Sequence, residues 1–144
     1  MPGRKKISII LDANWYISAC ISRNSRRTIY YKILKNLRLQ IFYSSELLEE
    51  FEGVISRRKF SKIISPDQVV RFKAFTFLFL TRIQIKAIPH VVRDMKDDYL
   101  LGICDACKAD FLITGDSDLL VLGTYDNTTI ITMGQFLRML PLIE

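Results

Sequence analysis

The chain has 144 residues, 49% of them hydrophobic, and carries a net charge of +6 from 21 Lys and Arg against 15 Asp and Glu. That length and apolar content suit one packed domain over residues 1–144, and no apolar run approaches the ~18 residues that cross a bilayer. The basic Arg4-Lys5-Lys6 runs straight into a strand-like stretch instead of a long apolar segment, so no targeting peptide is expected; three cysteines, an odd number, then predict reduced thiols in a cytoplasm.

A basic balance favours polyanionic partners, nucleic acid above all. The cations are grouped at Arg23/Arg26/Arg27, at Lys32/Lys35/Arg38 and at Arg57/Arg58/Lys59/Lys62. The acids collect elsewhere.

The first element is Ile7–Leu11 (I-S-I-I-L), a nearly continuous apolar run of the kind found in strands buried on both faces. It ends in Asp12 and, two residues on, Asn14. Ligands of open α/β sheets bind beyond the carboxyl ends of such strands, although Asp and Asn at this point equally suit a helix cap. Trp15–Ile21 reads as a short helix broken by Ser22–Ser25. From Arg26 the spacing of Ile29, Ile33, Leu34 and Leu37 is helical, with Lys32, Lys35 and Arg38 outside.

Leu39–Tyr43 reads as a second strand, and Ser44–Ser45 as the cap of a helix with the stripe Leu47, Leu48, Phe51, Val54 and Ile55. On that helix Glu50 lies at the stripe's edge, able to lean over the rim of the sheet. Glu52 sits on the opposite edge, and Glu46 and Glu49 are expected in solvent. Ser65-Pro66-Asp67-Gln68 is a strong helix start, predicting a helix to about Thr81. Its apolar residues all round, Phe72 to Leu80, suit a core helix, with a partner or dimer surface as the alternative.

Ile83–Ile88 alternates like a strand and stops at Pro89. A helix is expected over Asp97–Lys108, a buried strand over Phe111–Thr114, and then Gly115-Asp116-Ser117-Asp118 opening a short helix. Thr129–Ile131 is the last expected strand, and Thr132-Met133-Gly134-Gln135 has capping-box spacing for a terminal helix. Strands alternating with helices predict a three-layer α/β/α sandwich around a mostly parallel sheet.

Carboxylates thus recur where strands end and helices begin: Asp12, the group Asp94/Asp97/Asp98, and Asp116/Asp118, with Glu50 from inside a helix. Brought into one cleft, they would repel, and some pKa values would rise. A hard divalent cation such as Mg²⁺ or Mn²⁺ resolves the conflict because it prefers oxygen ligands. A phosphodiester is the natural further party, since such metals neutralise its charge and activate water. Leu100, Leu101 and Cys104 stand three, four and seven residues from Asp97, so helical periodicity favours Asp97 as the acid facing the cleft.

Leu11-Asp12-Ala13-Asn14, S-S-E-L-L-E-E-F (44–51), R-D-M-K-D-D-Y-L-L (93–101) and I-T-G-D-S-D-L-L (113–120), in that order, resemble a PIN-domain ribonuclease, in particular the bacterial and archaeal toxins of toxin–antitoxin pairs. The resemblance covers essentially the whole chain. It implies an endoribonuclease that uses Mg²⁺ or Mn²⁺ held by Asp12, Asp97 and Asp116, a helix-borne acid at Glu50, a site-shaping amide at Asn14 and an accessory Asp118. It further implies RNA as substrate, a cognate antitoxin and a homodimer. Loop length varies by one residue among relatives, which keeps Asp98 as the alternative to Asp97. The chain departs from the family at Ala13, where Thr or Ser is common, and at Met95 and Arg58, where Pro is frequent.

Two other signals carry little. Cys104-Asp-Ala-Cys107 falls within a helix with no second pair, and the only histidine, His90, lies well upstream, so zinc is not expected. The rival readings are an RNA-binding or antitoxin-sequestered module without turnover, for which Ala13 is a foothold, and a phosphate receiver domain. The latter needs an acceptor Asp after a middle strand, where Leu39–Tyr43 is followed by Ser44.

Overall fold

A computed structural model describes residues 5–90 and 97–144. Asp94, one of the acids singled out above, lies outside them. Six strands form one sheet: β1 (Ile7–Leu11), β2 (Leu39–Tyr43), β3 (Leu80–Arg82), β4 (Phe111–Ile113), β5 (Thr124–Tyr125) and β6 (Thr128–Ile131), in the order β3-β2-β1-β4-β6-β5. Every pairing is parallel except β5 with β6. Helices packed on this sheet complete a three-layer α/β/α architecture, as the alternation of elements predicts.

The strand order positions the site. From β1 the chain steps to β2 and β3 on one side, then crosses back to place β4 on the other side of β1. The connections reverse direction between β1 and β4, and a crevice opens outside the carboxyl ends of two strands at such a point. Both strands are central. Ile9, Ile10 and Leu11 of β1 and Leu112 and Ile113 of β4 are wholly buried, which is why both runs are apolar on both faces. Leu11 is in register with Ile113, and Asp12 N–H continues the ladder to Ile113 O at 3.1 Å. The two strands therefore release their chains at the same level.

Helix α1 (Ala13–Ile21) starts directly after Asp12. The expected four-residue break is a single residue: Ser22 ends α1 and caps α2 (Arg23–Thr28), its hydroxyl accepting Ser25 N–H at 3.3 Å. Arg26 spans the corner, its guanidinium donating to the carbonyls of Ala19 and Cys20. The helical path continues as a π-turn over Ile29–Leu34 and then stops, so Leu37 is exposed instead of completing the expected face. Helix α3 (Ser45–Ile55) is capped by Ser44 and buries Leu47, Phe51 and Ile55. A short α4 (Arg58–Ser61) leads to α5 (Pro66–Thr76), whose capping box is formed by Ser65 and Gln68.

The segment after α5 departs from expectation. Its helix ends at Thr76, a 3₁₀ turn covers Phe77–Phe79, and the third strand is Leu80–Arg82, not Ile83–Ile88. Register against β2 explains this: Leu80, Thr81 and Arg82 pair with Ile41, Phe42 and Tyr43, and Ile83 N–H takes the last acceptor, Tyr43 O. β2 ends there, leaving the alternating residues beyond without a ladder. Ile83 and Ile85 still pack against the core by their side chains. The aromatic run is split as well. Phe72 and Phe77 pack around Phe51, whereas Phe75 and Phe79 face outward against Tyr30, and Leu78 is 82% exposed.

Helix α6 (Asp98–Cys107) buries Leu100, Leu101, Ile103 and Cys104, and α7 (Ser117–Leu120) follows β4. The unforeseen β5 joins β6 through Asp126-Asn127, with Asp126 in the left-handed region that this residue type tolerates. Helix α8 (Met133–Ile143) has the expected capping box from Thr132 and Gln135. Cys20, Cys104 and Cys107 are free thiols, and no helix among the described residues is long and apolar enough to cross a membrane.

Candidate active site

Asp12 is both the N-cap of α1 and a member of the acidic group, so the two readings of this residue coexist. Its Oδ1 accepts Asn14 N–H at 2.8 Å, and its Oδ2 accepts the Thr114 hydroxyl. The residue is 4% exposed. Burial raises its pKa above the usual 3.8, against the pull of Thr114 and of the backbone at Asn14, Gly115 and Trp15. Asn14 contributes that N–H, while the residue itself is exposed.

Asp116 repeats the arrangement at the end of β4. It caps α7, its Oδ1 accepting Asp118 N–H at 2.7 Å, and its own N–H donates to Thr114 Oγ1 at 3.0 Å. Its carboxyl is hydrogen-bonded to that of Asp97, which lowers its pKa more than desolvation raises it. Asp97 is the residue that opens α6, so two helix starts and a strand end meet here. Asp98, the next residue, is only 1% exposed within the first turn of α6. Asp118 is half-buried one turn into α7.

Helix α3 brings Glu50. It is exposed at the edge of the apolar stripe. Glu46, expected in solvent, is half-buried one turn earlier on the same face. Both act on Tyr99, whose phenol is raised first by burial and then by Glu50, Asp12, Asp97 and Glu46 in that order. Tyr99 is 9% exposed, and acids from the end of β1, from α3 and from the start of α6 all act on its phenol.

Sequence reasoning passed over Tyr99 and Thr114. Tyr99 directly follows the Asp97-Asp98 pair, but no periodicity marks it as facing the acids. Thr114 had a usable signal, a hydroxyl placed two residues before Asp116 on the strand level with Asp12. A second buried phenol, Tyr16, lies a turn after Asp12 and packs with Tyr43 on Phe77. It too is raised, by burial first and then by Asp12.

The donor set is all oxygen. Among the described residues no three acidic, histidine or cysteine side chains stand close enough together to hold a metal as placed. The chemistry of the donors nonetheless fits a hard cation: Asp12 and Asp116 each follow a central strand, Asp116 lies against Asp97, and all three present carboxylate oxygens. A divalent cation binds through such oxygen ligands.

One concave surface borders the group and a second lies apart from it. The first, about 430 Å³, shares Thr114 and Gly115 with the group. The second, about 520 Å³, lies between α2 and α5 with Tyr30, Tyr31 and Phe75 beside Arg27 and Arg71, away from the acids.

A family model of the PIN domain matches residues 8–118. In fold the chain is similar to the crystal structure of PAE2754 from Pyrobaculum aerophilum, with a TM-score of 0.62 and 14% identity over 94% of this chain and 90% of that one. None of the curated proteins matches the chain in sequence.

Proposed function

Starting from a chain that belongs to the PIN-domain family, a fold generally found in metal-using nucleases, we propose a metal-dependent endoribonuclease that hydrolyses RNA phosphodiesters. The observation that carries the reading is the meeting of Asp97 with Asp116 beside Asp12 at the reversal point between β1 and β4.

Asp12, Asp97 and Asp116 would hold Mg²⁺ or Mn²⁺, which when bound neutralises phosphodiester charge and lowers the pKa of water. The α1 and α7 caps fix the Asp12 and Asp116 carboxylates by their Oδ1 atoms, so neither needs ordering when substrate arrives. Thr114 holds the remaining Asp12 oxygen. Glu50, exposed at the rim, is free to orient a water and accept its proton. Tyr99 stays protonated and offers a donor among the acids. Arg57, Arg58, Lys59 and Lys62 are exposed for phosphate contact, whereas Arg26 and Arg38 are occupied by backbone carbonyls. RNA binding through such contacts weakens with salt.

The family resemblance adds a toxin role in a cytoplasm, a cognate antitoxin and a homodimer. Free thiols support the location. The 520 Å³ groove and the exposed Val70, Phe75 and Leu78 along and after α5 support a protein partner.

A fluorescent single-stranded RNA titrated with protein, with and without Mn²⁺, tests the enzymatic reading. Cleavage confined to the metal-containing reaction is expected. A mobility shift with no cleavage at any metal concentration identifies a binding module instead.

A further inference from the structure

We infer that the 430 Å³ cleft beside Thr114 and Gly115 is a nucleobase-binding subsite that seats an unstacked base next to the bond being cut. The inference rests on the ribonuclease reading and deepens it, since it names the part of the RNA that this side of the centre recognises.

The cleft lies between the start of α1, the length of α2 and the start of α8, with Trp15, Asn24, Ser25, Thr28, Thr132 and Gly134 around it. Its size falls within the ~300–1,000 Å³ of small-molecule sites. No Asp, Glu, Lys or Arg lines it. Neutral walls suit neither a phosphate nor a metal. They suit a flat heteroaromatic ring carrying neutral donors and acceptors, which single-stranded RNA presents when its bases are splayed.

The parts match that ligand. The Trp15 indole, half-buried, offers a stacking face. The Asn24 amide is exposed, and the Thr28 hydroxyl makes no helix-capping bond, so both can read a base edge. The Thr132 hydroxyl is committed to the capping box of α8 and serves as wall.

Position ties the cleft to the chemistry. Trp15 N–H donates to Asp12 O, Thr114 bonds Asp12, and Gly115 precedes Asp116. A base held here leaves its own phosphates within a residue's reach of the acids. Gly115 and Gly134 both line the cleft. A Cβ at Gly115 would meet nothing within 4 Å, and one at Gly134 would find Arg138 Nη1 at 3.6 Å and Thr132 Oγ1 at 4.0 Å. A side chain at Gly134, a lining residue, is therefore accommodated without colliding with the fold.

Trp15 is the only tryptophan, so its fluorescence reports occupancy directly. The four ribonucleosides and the four homohexaribonucleotides are titrated into the protein in EDTA, where no cleavage occurs. Saturable quenching is expected, with at least a ten-fold spread in half-saturation between the best and worst base. Gly134→Leu should weaken quenching at least ten-fold while keeping its circular dichroism and melting temperature. Asn24→Ala should narrow the spread between bases without removing the quench.

Trp15 emission indifferent to all eight ligands overturns the proposal. So does quenching that Gly134→Leu leaves intact, or metal-dependent cleavage without any quench. Base-selective quenching with no cleavage under any metal upholds the subsite and sinks the nuclease reading, which keeps the two failures apart.

Discussion

The Thr114 hydroxyl donates to Asp12 Oδ2, and Thr114 Oγ1 in turn accepts Asp116 N–H at 3.0 Å. One threonine at the end of β4 thus ties together the two aspartates that close the adjoining strands. Thr114→Val keeps the shape and removes both bonds. A loss of about 1–3 kcal/mol in stability is expected from the buried carboxyl left without its donor, with cleavage falling ~10–100-fold as for other changes behind a metal ligand. Thr114→Ser should restore most of both. Urea melts and initial cleavage rates on the three proteins check this.

Asp97 and Asp98 separate by what they touch. Asp97 meets Asp116, whereas Asp98 is buried within the first turn of α6. Asp97→Asn should lose more activity than the ~10–100-fold of an outer contact and melt normally. Asp98→Ala should lose about 1–3 kcal/mol through its buried polar contacts. The reverse pattern would move the site one residue along the helix.

Asp12 gives a pH signature. Its folded pKa is raised above 3.8 by burial, so its contribution to stability is full below that value and is lost as pH rises through the folded pKa. In metal-free buffer at pH 7, Asp12→Asn should therefore melt higher than the wild type, and the gain should shrink as pH falls towards 3.8. The same substitution should abolish cleavage. Thermal melts between pH 4 and pH 7 in EDTA test the sign, and a gain that grows in acid contradicts the account.

Gly102 marks where the chain beyond β3 crosses α6. A Cβ there would stand 2.8 Å from Ile85 Cγ2 and 3.1 Å from Ala87 O, closer than either contact permits. Gly102→Ala should cost about 1–3 kcal/mol as an overpacked site, despite the better helix propensity of Ala. Gly53, in α3, meets nothing within 4 Å, so Gly53→Ala should hold or gain stability by urea melting.

The reach of the sequence is clearest in contrasts between neighbouring elements. Ile7–Leu11 and Leu39–Tyr43 are legible as strands because each is a short, largely apolar run that stops at a helix cap, Asp12 and Ser44. Ser65, Thr132 and their partners announce helix starts because capping is local chemistry. Ile83–Ile88 misleads because alternation reports which side chains are buried, not whether a neighbouring strand still has backbone groups to offer; β2 stops at Tyr43. Leu78 misleads similarly, since its helix ends two residues earlier.

At the site, the carboxylates stand out because each follows a strand or opens a helix. Thr114 with Asp12 is a contact across 102 residues that depends on β4 lying beside β1. Tyr99 and Glu46 depend on how α3 leans towards α6. Those relationships belong to strand order and helix packing, which local pattern does not encode.

The central claim is that Asp12, Asp97 and Asp116 hold a divalent cation at the reversal point between β1 and β4. A crystal soaked in Mn²⁺, with data collected to show anomalous scattering, tests it directly. The account predicts an anomalous peak in contact with carboxylate oxygens of all three aspartates. A peak elsewhere, or one that touches Asp98 in place of Asp97, would contradict it.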